Sequence, residues 1–268
     1  MPFRRRRRRA LEARLARLWR GAYVGTDSGD LAYLPAPLDF QAKRILFGGF
    51  NPPPPALGFL PPGGIAIDVG ANLGEWTIPL ARKAGAEGRV IAVEPNPVIA
   101  RALALTLRIN HLERVNILEE ALSDAEGAAK LVLHAVSSGE ARLGEPATDQ
   151  TSLPVRTRRL DDVVSAHGIT RLDFIKIDVE GHERRVLEGG IETLRRFRPA
   201  VVIESGHEGP GERETIATLF EGLGYRLIAV LHDHGALPLD FAAYRTARAA
   251  ASGTEARNLL LLPEGARR

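Results

Sequence analysis

The sequence predicts an α/β protein built on a Rossmann-like, mostly parallel sheet with helices on both faces. Three observations carry that expectation. From Gly64 onward, short apolar runs alternate with segments of helical periodicity, the pattern of repeated β-α-β units. The runs are apolar enough to be buried strands of a parallel sheet. The first of them ends in a glycine-bearing turn, Asp68-Val-Gly-Ala-Asn-Leu-Gly74, which leads into a helix.

The elements follow in order. Ile65 to Val69 reads as the first strand, Trp76 to Lys83 as a helix and Val90 to Glu94 as the second strand. Asn96 and Pro97 supply the cap and first turn of the next helix, with Ile99, Leu103 and Leu107 on its buried face. Val115 to Leu118 is a third strand, and Lys130 to His134 pairs nearby. Residues 136–152, rich in Ser, Gly, Glu and Thr, read as a mobile loop. Phe174 to Asp178 and Ala200 to Glu204 are strands separated by a helix over His182 to Arg195. Tyr225 to Leu231 and Leu259 to Leu262 close the sheet.

Composition sets the limits. With 268 residues, 44% of them hydrophobic, the chain can bury one sizeable core. It has no cysteine, which excludes disulfides, cysteine-bound zinc and thiol nucleophiles, and it fits a reducing, cytoplasmic setting. No apolar run approaches the roughly 18–20 residues of a membrane span.

Charge divides the chain. Nine arginines and one glutamate fall in the first twenty residues, while the net charge of the whole is only +3. The remainder is therefore mildly acidic, does not read as a nucleic-acid surface, and makes RNA an unsuitable partner. Residues 1–20 form a basic arm in which Leu11, Leu15, Leu18 and Trp19 recur at helical spacing. Such an arm is either a solvated tail or a weak contact to an anionic membrane or nucleic acid. No apolar core follows the arginines, so it does not read as a secretory signal. Residues 21–63, with Pro35, Pro37, Pro52 to Pro55, Pro61 and Pro62, read as a proline-rich cap over a domain spanning 64–268.

In a doubly wound sheet, ligands bind at the carboxyl ends of the strands. Gly70 and Gly74 let the chain turn tightly there, and the helix that follows offers free N–H groups. Asn72 stands where a dinucleotide-binding loop carries its middle glycine, which weakens a nicotinamide reading. Glu94 ends the second strand 26 positions after Asp68, about where an acid meets ribose hydroxyls.

Several stretches together resemble the FkbM methyltransferases. These are Asp68 to Thr77 (DVGANLGEWT), Glu94-Pro-Asn-Pro97, Ala121-Leu-Ser-Asp124, Leu160-Asp-Asp162, and Ile175 to Glu183 (IKIDVEGHE). Arg198-Pro199 and Glu204 continue the match, which covers roughly 64–205. The resemblance implies a class I methyltransferase with a seven-stranded sheet and S-adenosylmethionine as cofactor. In that fold Asp68, Gly70, Asn72 and Gly74 would hold the methionine portion, Glu94 the ribose, and Glu120 and Ala121 the adenine. The implied acceptor is a small hydroxylated molecule: a sugar, a polyketide or another natural product.

Methyl transfer to a hydroxyl needs alignment and a weakened O–H bond. A general base or a divalent metal can supply the second. His182, four residues after Asp178, is the candidate base, with His207 behind it; the other reading of His182 is a polar helix-start residue contacting Glu180. Glu180 and Glu183 would orient it or cap the helix. Asp178 and Glu204, at the ends of successive strands, are similar in placement to the magnesium ligands of catechol-type O-methyltransferases, so Mg2+ is the alternative activator. Lys176 and Asp178 also read as a structural ion pair. His232-Asp-His234 has poor zinc spacing and reads as surface. Two rivals stand beside the methyltransferase: a nicotinamide-dependent oxidoreductase, and a surface-tethered binding module with vestigial catalysis.

Overall fold

The computed structural model describes residues 21–35, 39–50, 54–134, 137–206, 210–232, 235–246 and 257–266. The arginine arm, His207 and the pair Asp233 and His234 lie outside the described residues. In chain order the elements are β1 (Ala22–Gly25), β2 (Leu31–Leu34), α1 (Phe40–Gly48), α2 (Pro54–Leu57), β3 (Ile65–Val69), α3 (Thr77–Ala84), β4 (Arg89–Val93), α4 (Pro97–Ile109) and β5 (Val115–Leu118). Then come β6 (Ala121–Leu122), β7 (Gly127–Val132), β8 (Arg142–Leu143), β9 (Ser152–Arg158), α5 (Leu160–Ala166), β10 (Phe174–Ile177), α6 (Glu183–Glu188) and α7 (Ile191–Phe197). The chain continues through β11 (Ala200–Ser205), α8 (Pro210–Gly222), β12 (Tyr225–His232), β13 (Gly235–Pro238), α9 (Phe241–Thr246) and β14 (Arg257–Pro263).

The main sheet runs β13-β12-β14-β11-β10-β3-β4-β5. Strands β5, β4, β3, β10 and β11 are parallel, and β14 is inserted antiparallel between β11 and β12. It has eight strands where the sequence predicts seven; the extra one, β13, is the return arm of a hairpin from β12, with His232 opposite Gly235. Strand order reverses between β3 and β10, so the crevice for a ligand opens above these two strands. Their residues are almost wholly sequestered: Ala66, Ile67, Phe174, Ile175 and Ile177 are all 0% exposed. At about 25 cal/mol per Å² of apolar area, such side chains each contribute roughly 1.5–3 kcal/mol.

Helix α4 starts as its sequence expects. Asn96 caps it through a bond from the Val98 amide, Pro97 fills the first turn, and Ile99, Leu103 and Leu107 are buried. Two expectations change. The helix expected over His182 to Arg195 is two helices, α6 and α7, broken at Gly189-Gly190. A Cβ on Gly189 would sit 2.1 Å from the Ser123 carbonyl oxygen, so the chain there presses on backbone and cannot carry a side chain. The Asp161 carboxylate then receives the Thr193 amide at 2.8 Å, holding the first turn of α7. The stretch expected as a loop over 136–152 contains, from Ser137 onward, a 3-10 turn at Ser138–Glu140 and the strand β8.

Strands β6, β9, β7 and β8 form a second, four-stranded sheet. Ala121-Leu122, which follows β5, belongs to this second sheet and pairs in parallel with Thr157-Arg158. The proline-rich segment contributes the β1–β2 hairpin, anchored to α4 by Asn110, whose Oδ1 accepts from the Leu31 amide at 2.9 Å.

Candidate active site

A cavity of about 770 Å³, counting its open mouth, lies above the carboxyl ends of β3, β4 and β10. Its floor is the turn after β3. Gly70 has φ +83°, and a Cβ there would lie 1.8 Å from the Asp178 carbonyl oxygen, so this turn and the end of β10 can approach only because Gly70 has no side chain. Asn72 takes φ 46°, left-handed space that asparagine tolerates, and its Oδ1 accepts from the Leu73 amide at 2.8 Å. Asparagine can thus stand where another loop uses glycine. Gly74 faces Leu103 and Ile78 rather than the cavity.

Two buried acids border this floor. Glu94 accepts from the Asn72 amide at 2.9 Å through Oε2 and from the Asn96 amide at 2.8 Å through Oε1. Each oxygen keeps a second lone pair. Burial pushes its pKa up to about 7, against the pull of those two amides. Asp68 accepts from the Thr77 hydroxyl at 2.5 Å. Burial pushes it up to about 6, while the Thr77 bond and the Lys176 ammonium act the other way.

The roof comes from elsewhere in the chain. Gln41 of α1, Ser138 and Gly139 of the 3-10 turn, and Leu131, Ala141 and Leu143 of the second sheet all line the cavity. Asp39 ties these parts together. It caps α1 by accepting from the Ala42 amide at 3.0 Å, and it accepts from the Ser138 amide at 2.5 Å. The Ser138 hydroxyl lies 3.0 Å from Asp39 Oδ1 and 3.1 Å from Asn72 Oδ1, linking roof to floor.

The side over β10 carries the remaining chemistry. Lys176 is 0% exposed, and its Nζ donates to Asp178 Oδ2 at 2.9 Å and lies 5.5 Å from the centre of the Trp76 ring. Trp76 in turn stacks on Phe174 at 6.3 Å. The structural ion pair is therefore formed, with Trp76 packed against it at the cavity wall. Glu183 accepts from the Val179 and Gly181 amides at 3.0 and 3.2 Å, bracing the turn in which Glu180 takes φ 55°. His182 precedes α6 and borders the cavity. Its Nε2 lies 2.9 Å from Ser123 Oγ, so the partner of this histidine is Ser123, not Glu180. Burial, then the nearby Arg185, lowers its pKa. Carboxylate oxygens of Asp178, Glu180 and Glu204 lie within 4.8 Å of one another.

Of the residues singled out by sequence, the cavity wall includes Asp68, Gly70, Asn72, Glu94, Ala121, Asp178 and His182. It does not include Gly74, Glu120 or Glu204. Glu120 instead pairs with Arg158 at 3.0 Å. Sequence reasoning missed Gln41 and Ser138, which only the tertiary fold brings over the turn. It also missed Glu75, whose side chain is 23% exposed, 3.6 Å from Arg44 and on the cavity wall. Burial pushes Glu75 up to about 7, with Arg44 opposing. Its place one residue after Gly74, inside the quoted motif, was the available signal.

The residues present fit S-adenosylmethionine: a glycine turn at the switch point, a buried acid fixed at the end of β4, and a roof that combines Gln41 and Ser138 with Leu131, Ala141 and Leu143. A parallel sheet of this order, with one antiparallel strand between β11 and β12 and its cofactor turn after β3, defines a Rossmann-like class I methyltransferase. Residues 68–227 match the model of the methyltransferase FkbM domain, and the chain belongs to that family. It is an S-adenosylmethionine-dependent methyltransferase acting on a small molecule.

Among its relatives is "Methyltransferase sdnD" of Sordaria araneosa, 29% identical over 196 residues, covering 62% of this chain and 75% of that one. The "31-O-demethyl-FK506 methyltransferase FkbM" of Streptomyces tacrolimicus is 28% identical over 199 residues, covering 63% and 75%. A solved FkbM methyltransferase from Methylobacillus flagellatus is similar at 17% identity and a TM-score of 0.49, over 74% of this chain and 43% of that one. The family match overturns the nicotinamide oxidoreductase; the arm on which the tethered binding module rests lies outside the described residues.

Proposed function

We propose that this methyltransferase acts on a hydroxyl oxygen of a small sugar, polyketide or other natural product, with His182 as general base. The observation that carries the reading is the place of His182: on the cavity wall, beside the end of β10, with its pKa lowered by burial. A lowered pKa keeps the imidazole neutral at physiological pH, the form that takes a proton. S-adenosylmethionine, which Asp68, Gly70, Asn72 and Glu94 would hold, would supply a methyl carbon activated by its sulfonium and would keep the electron pair of the broken C–S bond. What the chain itself contributes is alignment and a place for the acceptor's proton. The printed name of the Streptomyces relative, an enzyme for an O-demethyl substrate, supports oxygen as the target.

Incubating the enzyme and a candidate metabolite pool with deuterium-methyl cofactor, followed by mass spectrometry, identifies the acceptor. His182→Ala is expected to lower kcat by about 10²–10³ and leave cofactor affinity alone. A fully active variant defeats the base.

The second reading is a divalent cation, Mg2+, held by Asp178 and Glu204. It is favoured by the closeness of their carboxylates and opposed by Lys176, which already offers Asp178 a positive charge. Under this reading a chelator abolishes turnover and added magnesium restores it. Turnover indifferent to chelator removes the metal.

A further inference from the structure

We propose that Ser123, Asp124 and Arg185 are positioning residues that fix the proton on Nε2 of His182 and so make Nδ1 the proton acceptor. The inference rests on the reading of His182 as base and adds which nitrogen acts and what selects it.

The argument is one of donors and acceptors. The Ser123 hydroxyl lies 2.9 Å from Asp124 Oδ1 and 2.9 Å from His182 Nε2. A carboxylate only accepts, and a hydroxyl has a single hydrogen. That hydrogen goes to Asp124, so toward His182 the Ser123 oxygen can only accept. Nε2 must then carry the proton, and the lone pair of the neutral ring falls on Nδ1. Among the described residues Nδ1 has no hydrogen-bond partner, and it does not cap the helix it precedes. Arg185 holds the far end of the chain, donating to Asp124 Oδ2 at 2.8 Å.

The backbone holds the arrangement in place. The Ser123 amide donates to the Arg158 carbonyl at 2.8 Å, and Ser123 is 7% exposed. Gly189, at the far end of α6, presses on the Ser123 carbonyl. Helix α6 therefore spans the Ser123-Asp124 segment, with His182 at one end and Gly189 at the other. When Nδ1 receives the acceptor's proton, the imidazolium keeps its Nε2–H bond to Ser123, and the Asp124 charge lies one hydroxyl away. Arg184 and Arg185 on α6 oppose the imidazolium charge, which is why the hydroxyl link to Asp124 matters.

The test is NMR of histidine-labelled full-length enzyme, joined to kinetics. The wild type should show a hydrogen-bonded Nε2–H on His182, protected from exchange. In Ser123→Ala that protection is lost; in Ser123→Thr it returns. Asp124→Asn gives the sharper result. Its carbonyl turns to Arg185, which can only donate, leaving the amide NH2 toward Ser123. The hydroxyl must then donate to Nε2, and the ring proton moves to Nδ1. The expected loss in kcat is about 10²-fold, on the scale of losing a general base, with KM for the cofactor unchanged. An Nδ1–H ring in the wild type, or an equally protected Nε2–H in Ser123→Ala, overturns the proposal. A fully active His182→Ala instead overturns the base itself, whatever the tautomer.

Discussion

The two halves of the site are held in different ways. Over β3 and β4 the functional groups are fixed mainly by backbone: Glu94 by two amides, Asn72 by the amide next to it. Over β10 side-chain partners carry more of the load: Lys176 is held by Asp178 and Trp76 and His182 by Ser123, while Glu183 takes the Val179 and Gly181 amides. Backbone donors are present whatever the neighbouring side chains are, so the first half suits a cofactor that never changes. Side-chain partners can be exchanged singly, so the second half suits an acceptor that differs between relatives.

That contrast can be broken most forcefully at Lys176. Lys176→Ala removes a fully buried cation and opens a cavity beside Trp76; it is expected to cost about 2–5 kcal/mol of stability, read by denaturant unfolding. Lys176→Met, which fills the volume and removes the charge, should cost less than Lys176→Ala, because the space beside Trp76 stays filled. Equal stability of wild type and Lys176→Ala would mean that the second half is not held by side chains after all. Glu94→Ala tests the first half. Losing a charge-assisted bond to the cofactor should weaken binding by roughly 1.5–3 kcal/mol in calorimetry, with the fold retained. Unchanged affinity would remove Glu94 from the ribose site.

The next effect is on pH. Asp68, Glu75 and Glu94 are raised by burial to about 6, 7 and 7. A raised carboxylate binds its proton more tightly folded than unfolded, so the contribution of these three groups to stability is fully present below the ordinary carboxylate range and is lost as pH rises toward 7. Melting temperatures from pH 4 to 8 in the apo-enzyme check the sign. Cofactor binding runs the other way. If the ribose hydroxyls prefer the ionised Glu94, affinity rises up to about tenfold per pH unit below 7, and binding at pH 6 releases protons. Calorimetry in two buffers of different ionisation enthalpy reads that release. The smallest effect is at the roof: Asp39→Ala removes a helix cap and should cost about 0.5–2 kcal/mol, with KM for the cofactor rising more than kcat falls.

The parallel core was legible because its signals are local. Strand β3, the cap of α4 and the turn at Asp68 to Gly74 each announce themselves within a dozen residues. Asp68, Glu94, Asp178 and His182 were legible for the same reason, since strand ends are where a doubly wound sheet presents its chemistry. The roof was not. Ser138 and Gly139 sit in a polar stretch whose composition matches any loop, and only the fold brings them over Asn72. The break between α6 and α7 was hidden because its cause, the Ser123 carbonyl against Gly189, lies across the fold. The partner of His182 was hidden likewise: Ser123 is 59 positions away.

The bond between Asp39 and Ser138 joins residues 99 apart in the chain. It is one of a few side-chain bonds that hold the roof, whereas β3 and β10 share a continuous ladder from Phe174 opposite Ala66 to Ile177 opposite Val69, so opening the roof breaks far fewer contacts than opening the core. The roof of the binding chamber is thus expected to come open before the core does. A chain stressed by heat or denaturant should lose its hold on cofactor while β3, β4 and β10 still protect their amides from hydrogen exchange.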